Sequence, residues 1–217
     1  MTTILFAVAW GLLGAAAGWF TRWGSVKLAR LEELEPGITL VPGMKPWQVY
    51  GPPILAALLF AMFAYDLGVA HIAVLGLRSV FILVLVQVIF FDLEHRLILD
   101  RVIFPSMALA LLVSLLGRPW WAGLATGLGV GVLFLFLSLV GTGLLKAEVM
   151  GFGDVKLAAF MGLLLGWPAV VDAIFLGVLV GAVAALAVGI WHRSLKATFA
   201  YGPYLAIGAF VMLYQMH

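Results

Sequence analysis

The chain of 217 residues contains no cysteine, and that single absence removes several chemistries at once. Disulfides, thiolate metal centres and a cysteine nucleophile are all excluded. Charge is nearly as scarce. Twelve basic and ten acidic residues make up 10% of the chain, whereas a soluble domain carries roughly a quarter. The four histidines, His71, His95, His192 and His217, are scattered and form no His-Glu-x-x-His pair, so a zinc metalloprotease of that type is excluded. No serine follows a Gly-x pair, which removes the usual setting of an intramembrane serine nucleophile. The net charge of +2 gives no sign of a nucleic-acid partner.

What is abundant is apolar. Hydrophobic residues make up 65% of the chain, too much for a globule clothed in water, so the bilayer is the expected solvent. A membrane span needs roughly 20 mostly apolar residues. On that measure helices are predicted near 3–21, 50–67, 69–91, 101–117, 120–145, 151–167, 168–190 and 200–216. The fold class is therefore all-α, a polytopic membrane protein with about eight transmembrane helices in a single domain over 1–217. Asp66-Leu67-Gly68 and Gly166-Trp167-Pro168 each split a run about twice the length of one span. The first segment lacks a basic leading region and reads as a retained helix rather than a signal peptide.

Lysine and arginine set the expected orientation. With the N-terminus outside, the inner loops hold Arg22, Lys27, Arg30, Lys45, Arg96, Arg101, Lys146, Lys156, Arg193 and Lys196, leaving only Arg78 and Arg118 elsewhere. An even number of spans then puts both termini on the non-cytoplasmic side. The third helix runs inward and ends at Asp92; the sixth runs outward and begins at Asp154. Two aspartates distant in sequence are thus expected at one depth, at the cytoplasmic face.

A lone acid at a helix start is most simply a solvated first-turn residue favoured by the helix dipole. Two features favour chemistry instead. Gly151 and Gly153 clear side chains from beside Asp154, so an extended peptide can approach. Asp92 supplies the second carboxylate that aspartic proteolysis requires, one to take a proton from water and the other to polarise the scissile carbonyl. Helix polarity suits Asp154 to the first role and Asp92 to the second.

Gly151-Phe152-Gly153-Asp154-Val155-Lys156 resembles the Gly-x-Gly-Asp-x-Lys motif of the type IV prepilin peptidases, GxGD membrane aspartic proteases. Asp92, Glu94, His95, Leu97 and Asp100 are similar to that family's first aspartate motif, with Leu99 where proline is usual. Tyr201-Gly202-Pro203-Tyr204-Leu205-Ala206 resembles the stretch that opens its last helix. The resemblance covers about residues 80–215, the expected peptidase core. It implies removal of a short basic leader from prepilins or pseudopilins of type IV pilus or type II secretion systems at the inner membrane, after a glycine that precedes the hydrophobic pilin helix. Asp92 and Asp154 would be the catalytic pair, with no cofactor and no metal.

Neighbouring residues carry paired readings. Glu94 reads as support for the dyad or as a leader-binding charge, and Asp100 as the same or as a helix N-cap. Lys156 either tunes Asp154 or extends to the interface. Gly202-Pro203 is either a backbone platform for substrate or a helix start with proline in its first turn. Gly123, Gly127 and Gly131, and the pair Gly177 and Gly181, have the spacing of helix-packing surfaces. The first cytoplasmic loop, 21–50, lacks the four-cysteine zinc-binding insert of family members that also N-methylate the new terminus, which puts methyltransferase activity in doubt. Its Glu32, Glu33 and Glu35 would attract a basic leader or simply be solvated. The alternatives are a preflagellin peptidase-like enzyme and, from another class, a proton-coupled transporter using the same carboxylates.

Overall fold

The computed structural model describes residues 2–29, 43–117, 119–145, 150–192 and 201–216. Eight α-helices dominate them: α1 Thr2–Ala29, α2 Pro46–Leu67, α3 Ile72–His95, α4 Asp100–Leu115, α5 Ala122–Leu145, α6 Phe152–Leu165, α7 Ala169–His192 and α8 Gly202–Gln215. A short 3₁₀ turn, Val69–His71, leads into α3, and there is no strand among the described residues. Each predicted helix has its counterpart. The first continues past its expected end to Ala29, where the Lys27 ammonium lies 3.8 Å over the ring of Trp23, one turn earlier. Glu32, Glu33 and Glu35 lie outside the described residues.

Five of the helices, α1, α2, α3, α5 and α7, are long and apolar enough to cross a bilayer. The other three have 16, 14 and 14 residues. The two predicted breaks are helix ends of one kind: Gly68 and Gly166 adopt φ of 64° and 67°, a conformation that disfavours other residues, and each donates its N–H back into the helix it terminates.

The chain forms two compact units, Met1–Arg101 and Val102–His217. In the first, α1 packs along α2 through Gly11, Gly14 and Gly18. A Cβ on Gly14 would stand 2.7 Å from the Ala56 carbonyl, and one on Gly18 2.7 Å from that of Pro52. In lipid, helices associate by such close backbone approach rather than by the hydrophobic effect. Trp10 on α1 donates its indole N–H to Ser79 on α3 at 3.0 Å, tying the third helix to the first.

In the second unit α6 is the buried centre, with Leu157, Ala158, Phe160 and Met161 all removed from the surface. The glycine row Gly123, Gly127 and Gly131 of α5 faces it, meeting Leu163 and Ala159, and Gly162 of α6 returns the contact at Gly127. Gly177 and Gly181 of α7 meet Tyr204 and Leu205 of α8, and Gly208 of α8 sits against the Ala173 carbonyl of α7. Both glycine sets are therefore packing surfaces, as their spacing predicts.

Candidate active site

Asp92 and Glu94 belong to the first unit, while Gly151, Gly153, Asp154, Lys156, Gly202 and Pro203 belong to the second.

Asp92 lies in the last turn of α3 and is 5% exposed. The helix ends four residues on at Arg96, whose φ of 54° is left-handed and whose N–H donates to the Asp92 carbonyl at 2.8 Å. Leu-Glu-His-Arg offers no glycine or asparagine at that position, so the sequence gives no warning of it. Ile98 and the fully buried Leu99 then seat the following segment. A left-handed residue with a side chain costs roughly 1–2 kcal/mol. Arg96 is exposed, so Arg96→Gly is expected to raise stability by about 1 kcal/mol, read as a higher melting temperature in detergent. A lower one would show that the guanidinium makes a contact worth more than the strain.

Glu94 has a partner that sequence reading does not foresee. Its carboxylate accepts the backbone N–H of Gly43, and Arg22 Nη2 donates to the carbonyl of the same residue at 2.7 Å. Both polar groups of Gly43 are thus held, one by α3 and one by α1. A side chain at position 43 would collide with the Gln48 amide. Within this unit Glu94 is a latch on the segment returning to α2. A hydrogen bond to a charged group is worth about 1.5–3 kcal/mol. Glu94→Ala is therefore expected to destabilise the protein by about 2 kcal/mol in thermal unfolding, and an unchanged melting curve would remove the latch.

Beside the latch is a small polar cavity of about 20 Å³, lined by Ser25, Gln87 and His95 among others. That is room for one water. Gln87 is 4% exposed and neither polar atom of its amide has a hydrogen-bond partner among the described residues. Its one sequence signal is an amide interrupting the apolar run Phe81 to Phe91. His95 stacks on Phe91 with centroids 4.5 Å apart, and its Nε2 lies 3.8 Å from Glu94.

In the second unit Gly151 is the extended residue before α6, at φ −67° and ψ 147°. Asp154 follows as the third helical residue, donates its N–H to the Gly151 carbonyl at 3.0 Å, and is 9% exposed. Its carboxylate stands where the unpaired N–H groups and dipole of the helix stabilise negative charge. Among the described residues, a Cβ added to Gly151 would meet a single neighbouring atom within 4 Å, Oδ2 of Asp154 at 3.9 Å. The missing side chain is the one that would cover the carboxylate. Gly153 is half-buried in the same turn. The Lys156 ammonium rests 4.9 Å from the ring of Phe152 and 5.2 Å from that of Phe104, so two aromatic faces hold it.

Gly202 and Pro203 are both buried and form the first turn of α8, where proline's missing N–H is not needed. Asp100 is the first residue of α4. Among the described residues no group of three or more His, Asp or Glu side chains is arranged to hold a metal.

Residues 79–186, which include both aspartates, match the model of the type IV leader peptidase family. The chain belongs to that family. The "Prepilin leader peptidase/N-methyltransferase" of Aeromonas salmonicida is 37% identical over 135 residues, covering 60% of this chain and 46% of that protein. Its Bacillus subtilis namesake is 32% identical over 160 residues, covering 72% and 61%. That of Pseudomonas aeruginosa is 33% identical over 128 residues, covering 56% and 43%. This leader peptidase family member spans about half the length of the curated relatives it matches. No solved structure matches it.

Proposed function

We propose that this chain is a membrane aspartic endopeptidase that removes the basic leader of type IV prepilins or pseudopilins at the cytoplasmic face, with Asp92 and Asp154 as its catalytic dyad. The observation that carries the reading is Asp154: a buried carboxylate in the first turn of α6, with the exposed Gly151 beside it, inside the segment that matches the family. Asp92, at the end of α3 in the same matched segment, is the second carboxylate.

In this reading Asp154 takes a proton from water as the oxygen attacks the scissile carbonyl. Protonated Asp92 hydrogen-bonds the carbonyl oxygen as charge develops on it. Collapse of the tetrahedral intermediate returns a proton to the departing amine, leaving the free pilin N-terminus and the leader's new carboxylate. The extended backbone at Gly151 leaves room for substrate in an extended form. The basic residues assigned to the inner loops put both termini on the non-cytoplasmic side. The relatives are named for two activities, and only the peptidase is proposed here.

Purified protein incubated with a full-length prepilin tests the proposal, with products identified by mass spectrometry. The expected products are the intact leader and a mature pilin cut after the leader glycine. Prepilin left intact by protein shown to be folded overturns it.

A further inference from the structure

The second unit carries a groove of about 950 Å³ that the side chains of its described residues do not fill. It exists because α5 packs on α6 and α7 packs on α8, while α5 and α7 leave a trench between them, lined by Gly129 and Leu133 on one side and Phe175 and Val178 on the other. Along α5 it runs from Trp121 to Leu137, about 24 Å at 1.5 Å per residue. Trp121 and Trp167 stand at one end, Met150 and Tyr201 at the other.

Two observations say what fits. First, α5 has two rows of small residues on different faces. Gly127 and Gly131 are occupied by α6, and Gly123 by Ser114 of α4 and the Leu163 carbonyl of α6. Ala125 and Gly129 line the trench, and among the described residues a Cβ added at Gly129 would meet nothing within 4 Å. Small residues in a membrane helix let another helix backbone approach closely; a thin, flexible lipid tail gains nothing from them. Second, the trench ends at Met150, one residue before the N-cap of α6, whose first turn carries Asp154. Tyr201, at the same end, immediately precedes α8.

We propose that this trench receives an apolar α-helical membrane segment of the substrate, packed on Ala125 and Gly129, whose N-terminal end emerges at Met150 and hands the cleavable peptide to Asp154. The inference rests on the peptidase reading and deepens it. Substrate is held by the helix that follows the scissile bond, so that recognition runs the length of the membrane while chemistry occurs at one end.

The absence of cysteine makes the test clean. Gly129→Cys provides the only thiol in the protein, in space that admits it. Prepilins each carrying one cysteine along the apolar segment are offered under mild oxidation. Disulfides are expected from substrate positions three to four residues apart, on one face, and not from those between. Gly129→Trp, which fills the trench, is expected to slow prepilin cleavage at least tenfold while the protein stays folded by thermal melting. Crosslinks that are absent, that ignore helical phase, or that join two copies of the enzyme overturn the inference. So does wild-type cleavage by Gly129→Trp, including the case where that variant merely loses a co-purified phospholipid. If the cysteine-free wild type cleaves prepilin and these results fail, only the trench assignment falls. If the wild type does not cleave, the peptidase reading falls and takes the trench with it.

Discussion

Asp92→Asn and Asp154→Asn are each expected to lower the rate of prepilin cleavage by roughly a thousandfold or more. General acid–base catalysis by a positioned group contributes about 10²–10⁴, and in the proposed dyad each carboxylate has its own task, Asp154 the proton of the attacking water and Asp92 the charge developing on the carbonyl oxygen. With Asn at 154, no base takes the proton from water. With Asn at 92, the carbonyl oxygen still receives an N–H, but so weak an acid leaves the charge developing on that oxygen largely unneutralised. The two side chains are 5% and 9% exposed, and asparagine matches aspartate in shape, so folding should survive either change. Residues acting as a unit are non-additive, so the double variant should be no slower than the slower single one. Time courses of prepilin conversion, with variants matched for melting temperature, measure all three. Substantial activity in Asp92→Asn beside complete loss in Asp154→Asn would end the dyad.

The largest expected stability effect is at Gly208. A Cβ there runs into the Ala173 carbonyl and would also stand 3.0 Å from the Gly177 backbone nitrogen. Both obstacles are main chain in α7, so neither can rotate away, and α8 must shift bodily. Overpacking typically costs about 1–3 kcal/mol. Gly208→Val, with two further methyls to place, belongs at about 3 kcal/mol. The buried Gly202-Pro203 start of α8 should move with it, so cleavage ought to fall as stability does. Gly76 on α3 is the contrast, because among the described residues a Cβ there meets nothing within 4 Å. Gly76→Ala should raise stability by up to about 1 kcal/mol through helix propensity alone. Equal melting shifts for the two variants would mean that α7 and α8 do not pack as closely as described.

Length and punctuation made the helices legible in sequence. Each apolar run is bounded by a charged or glycine-bearing break, and Gly68 and Gly166 end helices where the runs divide. The motif around Asp154 was legible because glycine–acid spacing survives without knowledge of the fold. The directions in which helices face were not. Helix α5 is apolar all round, so no period distinguishes the face on α6 from the face on the trench. The grip of Glu94 on Gly43 spans 51 positions through a backbone N–H, which leaves no mark on residue type. Gln87 was visible as an amide among apolar residues, but its small cavity needs α1 and α2 to close it.

The brevity of α6 has a further consequence. Fourteen residues rise about 21 Å, whereas the hydrocarbon layer is about 30 Å thick. With the Trp167 end held at one interface, the Asp154 end falls about 9 Å short of the other. Because neighbouring helices rather than lipid enclose α6, the bilayer would have to thin around the whole unit or a water-filled depression would have to reach down to the carboxylate. Hydrolysis would then depend on membrane thickness: longer acyl chains should bury the acid more deeply and slow the enzyme without altering a single protein contact.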